Sequence, residues 1–187
     1  MEKLVAYKRM PLWTKETMPE AVQQKHNTKV GTWGKITVVK GTLKFIELTE
    51  DGEVLAEHLF EAGADNPMAQ PQAWHRVEAA TDDVEWYLEF YCKPEDYFLK
   101  KYNTNPVHSE VLEAIQTVKP GKALDLGCGQ GRNSLFLAQQ GFDVTAVDQN
   151  ELALEILQSI VEQEDLEMPV GLYDINSASI GQAYDFI

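Results

Sequence analysis

Between Lys35 and Cys92 apolar residues recur in short runs rich in β-branched and aromatic side chains: "KITVVKG", "TLKFIEL", "EVLAEHLFEA", "AWHRVEA" and "VEWYLEFYC". The sequences "KGT" at 40–42 and "EDGE" at 50–53 carry hairpin-turn chemistry, and "NPMAQPQ" is a proline-broken loop unsuited to a central strand. Strands so closely spaced, with no helical period between them, predict a small antiparallel β-barrel or sandwich over residues 1–92. Beyond Cys92 the period lengthens. Asn105 followed by Pro106 marks a helix start, and Val107, Val111, Leu112, Ile115 and Val118 then share one face until "PG" at 120–121. "KALDLG" reads as a buried strand, "RNSLFLAQQ" as a helix stopped by Gly141, and "FDVTAVD" as a second strand. Asn150 caps "ELALEILQSIVEQE", with Leu152, Ile156 and Ile160 as its apolar stripe; "PVGLYDI" is a third strand and "YDFI" opens a fourth. This alternation predicts a parallel sheet with right-handed crossovers. The expected fold class is therefore a two-domain α+β chain, with a β-domain at 1–92, a linker at 93–104 and an α/β domain at 105–187. No internal repeat or low-complexity stretch interrupts it.

Composition narrows the function classes. With 44% apolar and 25% charged residues in 187, the chain has ordinary globular content. Its net charge of −14, from 16 basic and 30 acidic residues, excludes the clustered Lys and Arg that a nucleic-acid surface needs. No run reaches the roughly twenty apolar residues of a membrane helix, and "MEKLVAYKRMPLW" lacks a signal-peptide core, so the expected location is the cytoplasm. Cys92 and Cys128 have no CxxC or Cys/His spacing for zinc and read as reduced thiols, Cys128 as a small residue fitting a tight turn. Oligomeric state is not set by any of these features.

The chemistry concentrates in "ALDLGCGQGRNS", residues 123–134. In an open parallel sheet, ligands sit beyond the carboxyl ends of the strands, and the first strand-to-helix loop cradles them. Glycines at 127, 129 and 131 bare the backbone there. A dinucleotide fingerprint, GxGxxG, would place its third glycine where this chain has Arg132. Asp125, two residues before the first glycine, would also sit poorly beside a pyrophosphate, whereas it suits a cation such as the ammonium of S-adenosylmethionine. Asp148 closes the next strand, about twenty residues on, at ribose-binding spacing. Arg132 and Asn133 open the helix, where capping and ligand contact compete.

"LDLGCGQG" resembles motif I of the class I S-adenosylmethionine-dependent methyltransferases, and the longer strings "EDYFLKKYNTNPVHSEVLEA", "KALDLGCGQGRNSLFLA", "GFDVTAVDQN" and "YDFI" resemble the TehB family of tellurite-resistance methyltransferases. "HNTKVGTWGKITVVKGTLKF" and "PQAWHRVE" are similar to the cupin-like domain that precedes the methyltransferase in some members. The resemblance implies methyl transfer from S-adenosylmethionine to a small tellurium or selenium oxyanion. It implies a cofactor-binding set of Lys101, Tyr102, Asp125, Gly127, Gly129, Arg132, Asn133, Asp148, Gln149, Asp174 and Ile175, with Asp148 on the ribose hydroxyls and Asp174 and Ile175 at the adenine. Lys101, Tyr102 and His108 are also the local candidates for acceptor oxygens. Because the family's acceptor residues lie beyond a position equivalent to Ile187, no catalytic residue is assigned, and the expectation is a fragment that keeps the cofactor loop without transferring methyl.

In the first half, His26, His58 and His75, with Glu57 and Glu61, have the residue types of a metal centre but not its spacing, since "EHLFE" lacks an HxH pair; no metal ligand is assigned. Trp33, Trp74 and Trp86 read as core aromatics. Two other functions fit parts of the pattern: a dinucleotide-dependent oxidoreductase using the same loop, and a non-catalytic protein binding a small ligand through the β-domain.

Overall fold

The computed structural model describes residues 3–176 and 179–187. It divides the chain into two compact units, Met1–Lys93 and Pro94–Ile187.

The first unit contains β1 (Val5–Arg9), β2 (Trp13–Thr14), a short helix α1 (Glu20–Gln23), β3 (Trp33–Lys40), β4 (Thr42–Leu48), β5 (Val54–Glu61), β6 (His75–Ala79) and β7 (Glu85–Cys92). All pairings are antiparallel. One sheet is built on β7, with β3 along one edge and β1 and β2 in succession along the other; the second has the order β5-β4-β6. Gly34, Ile36 and Val38 of β3 are buried while Trp33, Lys35 and Thr37 between them are half-exposed, the two-residue period of a strand with one face on a core. That core joins both sheets through Trp13, Ile36, Val38, Leu43, Phe45, Phe60, Val77 and Trp86. β1 and β2 were outside the expected strands: "VAYKR" and "WT" are short, polar and without turn signals, and they become strands only because β7 offers them an edge. Trp33 and Trp74 are half-exposed rather than core residues; Trp33 lies on the outward face of β3 and its indole donates to Gln70 Oε1 at 3.1 Å. Trp13 takes the expected core place, edge-to-face with Trp86 at 4.9 Å.

The second unit opens with a 3-10 turn (Pro94–Asp96) and α2 (Tyr97–Tyr102), followed by α3 (Ser109–Ala114), β8 (Lys122–Leu126), α4 (Arg132–Gln139), β9 (Asp143–Asp148), α5 (Glu151–Gln163) and β10 (Val170–Leu172). The stretch expected as a linker is thus mostly helical, and Phe98 within it is buried in the unit's core with Leu135, Leu137, Val144 and Leu157. Asn103, at φ +58°, ends α2 with its N–H on the Leu99 carbonyl. The next helix begins at Ser109, three residues later than Asn105 and Pro106 predict, and the N–H of His108 just before it is taken by the Asn133 side chain at 3.1 Å. Asn150 caps α5 as expected, its Oδ1 accepting from Ala153 N at 3.2 Å. The buried stripe of α5 is Ala153, Leu154, Leu157, Ile160 and Val161, however, and Leu152 and Ile156 are 71% and 45% exposed. Both sets have helical spacing; the cap fixes where the helix starts, and the sheet below selects the face.

β8, β9 and β10 form a parallel sheet in the order β10-β9-β8. Asp185 and Phe186 run beside the other edge of β8, with Leu124 N donating to Phe186 O at 2.9 Å and Ala123 bridged parallel to Phe186. The chain therefore builds outward from β8 in both directions, and β8 is the point where strand order reverses. A crevice opens at the carboxyl ends of strands at such a point.

Candidate functional site

The loop from Leu126 to Arg132 leaves β8 at that crevice. Its backbone is pinned by Gly127 N and Cys128 N, which both donate to the Val147 carbonyl at 2.8 and 3.0 Å, and by a turn from Gly131 N to Cys128 O at 2.9 Å. Gly127 and Gly129 adopt left-handed φ values of +80° and +54°, and a Cβ on either would meet nothing within 4 Å. Open space lies over the backbone at both. Gly131 differs: its Cβ would collide with the Leu157 side chain, so this third glycine serves the packing of the loop on α5 instead of a ligand.

Two carboxylates flank the bare backbone. Asp148, at the end of β9, accepts from Gly129 N at 2.7 Å through Oδ2 and from Asn150 N at 2.8 Å through Oδ1, which fixes its orientation while each oxygen retains a further lone pair. Asp125, at the end of β8, accepts from Ser134 Oγ at 2.5 Å. Gly127, Asp148, Gln149, Tyr173 and Ile175 line a cavity of ≈ 300 Å³ together with Leu126 and Asn176. Asp125 and Asn133 line a neighbouring one with Glu110, Val111 and Phe186. Asp174 lies next to Ile175 but is turned to its own segment, its Oδ1 accepting from Asn176 N at 2.8 Å. Burial, and after it the charges of Asp125 and Asp148, push the Cys128 thiol up to about 12, which keeps it protonated and inert as a nucleophile.

Arg132 and Asn133 both turn to the segment before α3. The Arg132 guanidinium, which can only donate, bonds Nε2 of His108, and Asn133 Oδ1 accepts from His108 N. His108 is therefore engaged as an acceptor at Nε2, with Nδ1 3.5 Å from Glu110. Lys101 and Tyr102, expected at the cofactor, are tied instead to Glu164 just past α5: Lys101 Nζ lies 2.7 Å from Glu164 Oε1 and 2.8 Å from the Tyr97 hydroxyl, and the Tyr102 hydroxyl donates to the same carboxylate. Neither residue lines the two cavities of the loop. Burial opposes the Lys101 ammonium, but its bonds to Glu164 and Tyr97 outweigh that and raise its pKa. Burial and then Glu164 push Tyr102 up to about 12, and Glu164 is held below the usual carboxylate range by Lys101 and Tyr102 against the effect of its own burial. This is a staple between α2 and the end of α5. Ser134, together with Leu126, Tyr173 and Asn176 at the cavity, is passed over by local sequence reasoning. Ser134 carried no motif of its own, and the only available signal was its place in the first turn after the glycines.

In the first unit, His75 is buried beneath Phe45, ring centroids 5.0 Å apart, and meets His26 at 4.3 Å; His58 bonds Glu47 at 3.0 Å. Glu57 is directed to the opposite face of β5 from His58, where it pairs with Lys44 at 3.3 Å. Among the described residues no three His, Cys, Asp or Glu side chains gather as a metal-ligand set, and no helix is long and apolar enough to cross a membrane.

Comparison with known proteins gives matches along both units. Residues 90–187 match the family model of tellurite resistance protein TehB, and residues 8–88 match a TehB-like domain model. A Haemophilus influenzae protein named probable S-adenosyl-L-methionine-dependent methyltransferase TehB is 57% identical over 184 residues, 98% of this chain and 64% of that protein. The crystal structure of TehB from Haemophilus influenzae superposes with a TM-score of 0.96, covering the same 98% of this chain and 64% of that one. A protein of Eikenella corrodens named hemagglutinin 1 is 47% identical over 141 residues, 75% of this chain and 47% of its own length. The chain thus spans just under two thirds of the curated relatives it matches along its whole length.

Proposed function

This chain belongs to the TehB family, and from that premise we propose that the loop after β8 binds S-adenosylmethionine and that the chain supplies the cofactor-binding part of a methyltransferase acting on tellurium or selenium oxyanions. One observation carries the reading: open space over Gly127 and Gly129, between the carboxylates of Asp125 and Asp148, at the point where strand order reverses. The acceptor class rests on the family description, tellurite resistance.

S-adenosylmethionine, when bound, supplies a methyl group on a positively charged sulfonium. The chain's own residues bind and orient. Asp125 takes the ammonium end, where a carboxylate is matched to a cation and a pyrophosphate would be repelled. Asp148, oriented by Gly129 N and Asn150 N, offers its remaining lone pairs to the ribose hydroxyls. Gln149 and Ile175 border the cavity on the adenine side, with Asp174 adjacent. Arg132 and Asn133, by holding His108, fix the segment before α3 against the start of α4, so that the rim of the site is set before binding and less ordering is needed afterwards. In-line transfer gains from such fixed positioning. The cytoplasm fits this role, since thiols such as Cys92 and Cys128 stay reduced there.

Calorimetry tests the reading directly. S-adenosylhomocysteine should bind the chain and NAD should not, and Asp148→Ala should weaken the former by about 1–3 kcal/mol through loss of charge-assisted bonds to two hydroxyls. Tight NAD binding would return the loop to the dinucleotide class, and an unchanged dissociation constant for the variant would remove Asp148 from the site. The acceptor is tested separately, by transfer of labelled methyl from S-adenosylmethionine to tellurite or selenite by the chain and by its full-length relative.

A further inference from the structure

We infer that Ser134 is a positioning residue, whose hydroxyl holds the Asp125 carboxylate in the one orientation that meets the amino-acid end of the cofactor. The inference rests on the cofactor reading above and adds a residue to it.

Ser134 is fully buried, on the first turn of α4, and its Oγ donates to Asp125 Oδ2 at 2.5 Å. A serine at a helix start ordinarily hydrogen-bonds nearby backbone or faces solvent. This one does neither, and its hydroxyl instead crosses from α4 to the end of β8, nine positions back in sequence. A buried hydroxyl must find a partner, and Asp125 is the one it has. The consequence falls on the carboxylate. With Oδ2 occupied, rotation of the Asp125 side chain is restrained and Oδ1 is left for a partner from outside, in a residue that lines a cavity with Asn133, Val111 and Phe186. Asp148, the other carboxylate of the site, is restrained by two backbone N–H groups. Asp125 is restrained by a side chain, so its positioning alone can be altered by substitution.

The cofactor's parts allow a structural effect to be told from a positioning one. S-adenosylhomocysteine carries the ammonium, and 5′-methylthioadenosine has the same nucleoside and thioether without the amino-acid end. Both are titrated calorimetrically into the chain, its Ser134→Ala variant, Asp125→Asn, and the double variant. Ser134→Ala should weaken S-adenosylhomocysteine about tenfold and leave 5′-methylthioadenosine unchanged within twofold. In the Asp125→Asn background the same substitution should add nothing. Equal weakening of both ligands would mean that Ser134 only packs α4 against β8, and an unchanged affinity for S-adenosylhomocysteine would remove Ser134 from the site; either overturns the inference while leaving the cofactor reading standing. A wild-type chain that binds neither nucleoside rejects the cofactor reading itself, and this inference with it.

Discussion

Gly131 shows how a single atom divides the glycine loop into two duties. Its φ of +82° already disfavours any side chain, and a Cβ there would collide with Leu157, which is fully buried on α5. Gly127 and Gly129 share the left-handed backbone that would strain a side chain, but they are open to space. Gly131→Ala should therefore cost stability, about 2–4 kcal/mol from backbone strain and overpacking together, read as a lowered urea midpoint for the second unit. A Gly131→Ala chain as stable as wild type would show that Leu157 gives way freely. The residues proposed for the ligand were legible at this scale as strand-end carboxylates beside bare backbone, because that arrangement is local: Asp125 and Asp148 stand at fixed distances from the glycines. The partners of other residues were not. Lys101 and Tyr102 find Glu164 more than sixty positions away, and Gly131 finds Leu157 on another helix. Nothing in the spacing near any of these announces the contact, since chain folding, not local pattern, brings them together.

At the scale of elements, periodicity located β3 to β10, α4 and α5, because each carries enough apolar residues to declare its own face. β1 and β2 are strands by virtue of an available edge on β7, and the segment before α3 is bonded to Asn133 on another helix, so neither arrangement could be read from its own residues. Registration across elements also makes one histidine, His75, pH-sensitive. His26 and His75 are directly opposed in a two-bond antiparallel bridge, with Glu47 opposite His75 on its other side. Burial, with a smaller contribution from His26, pushes His75 down to about 4, against the opposing effects of the Ala73 carbonyl and Glu47. The unfolded chain, with an ordinary histidine value near 6.5, binds a proton on acidification before the folded chain does, so folding should lose stability as pH falls from about 6.5 to 4 and level off below that. The loss attributable to His75 reaches up to about 3 kcal/mol. Urea unfolding of wild type and His75→Phe across that interval measures it: the difference between their slopes should amount to as much as one proton, and parallel curves would mean that the His75 ring takes its proton as readily in the fold as out of it.

For the whole molecule, the governing fact is that the two compact units have separate cores, one around Trp86 and Leu43 and the other around Leu135 and Leu157. All four tryptophans, at 13, 33, 74 and 86, belong to the first unit, whereas every residue of the candidate cofactor site belongs to the second. Tryptophan emission therefore reports one core, and ligand linkage acts on the other. A ligand that binds only the folded form adds about 2.7 kcal/mol at a hundred times its dissociation constant. With S-adenosylhomocysteine at that excess, the urea transition seen by far-ultraviolet dichroism should separate into a part that moves to higher denaturant and a part that does not, and the tryptophan-detected transition should follow the part that stays. A core of that size can hold by itself, so residues 1–93 made alone should reproduce the same tryptophan transition, unmoved by a chelator. A tryptophan transition that shifts with S-adenosylhomocysteine as far as the dichroism does would show that the two cores unfold as one cooperative body. Loss of the transition on chelation would instead mean that the histidines of the first unit hold a metal on which its fold depends.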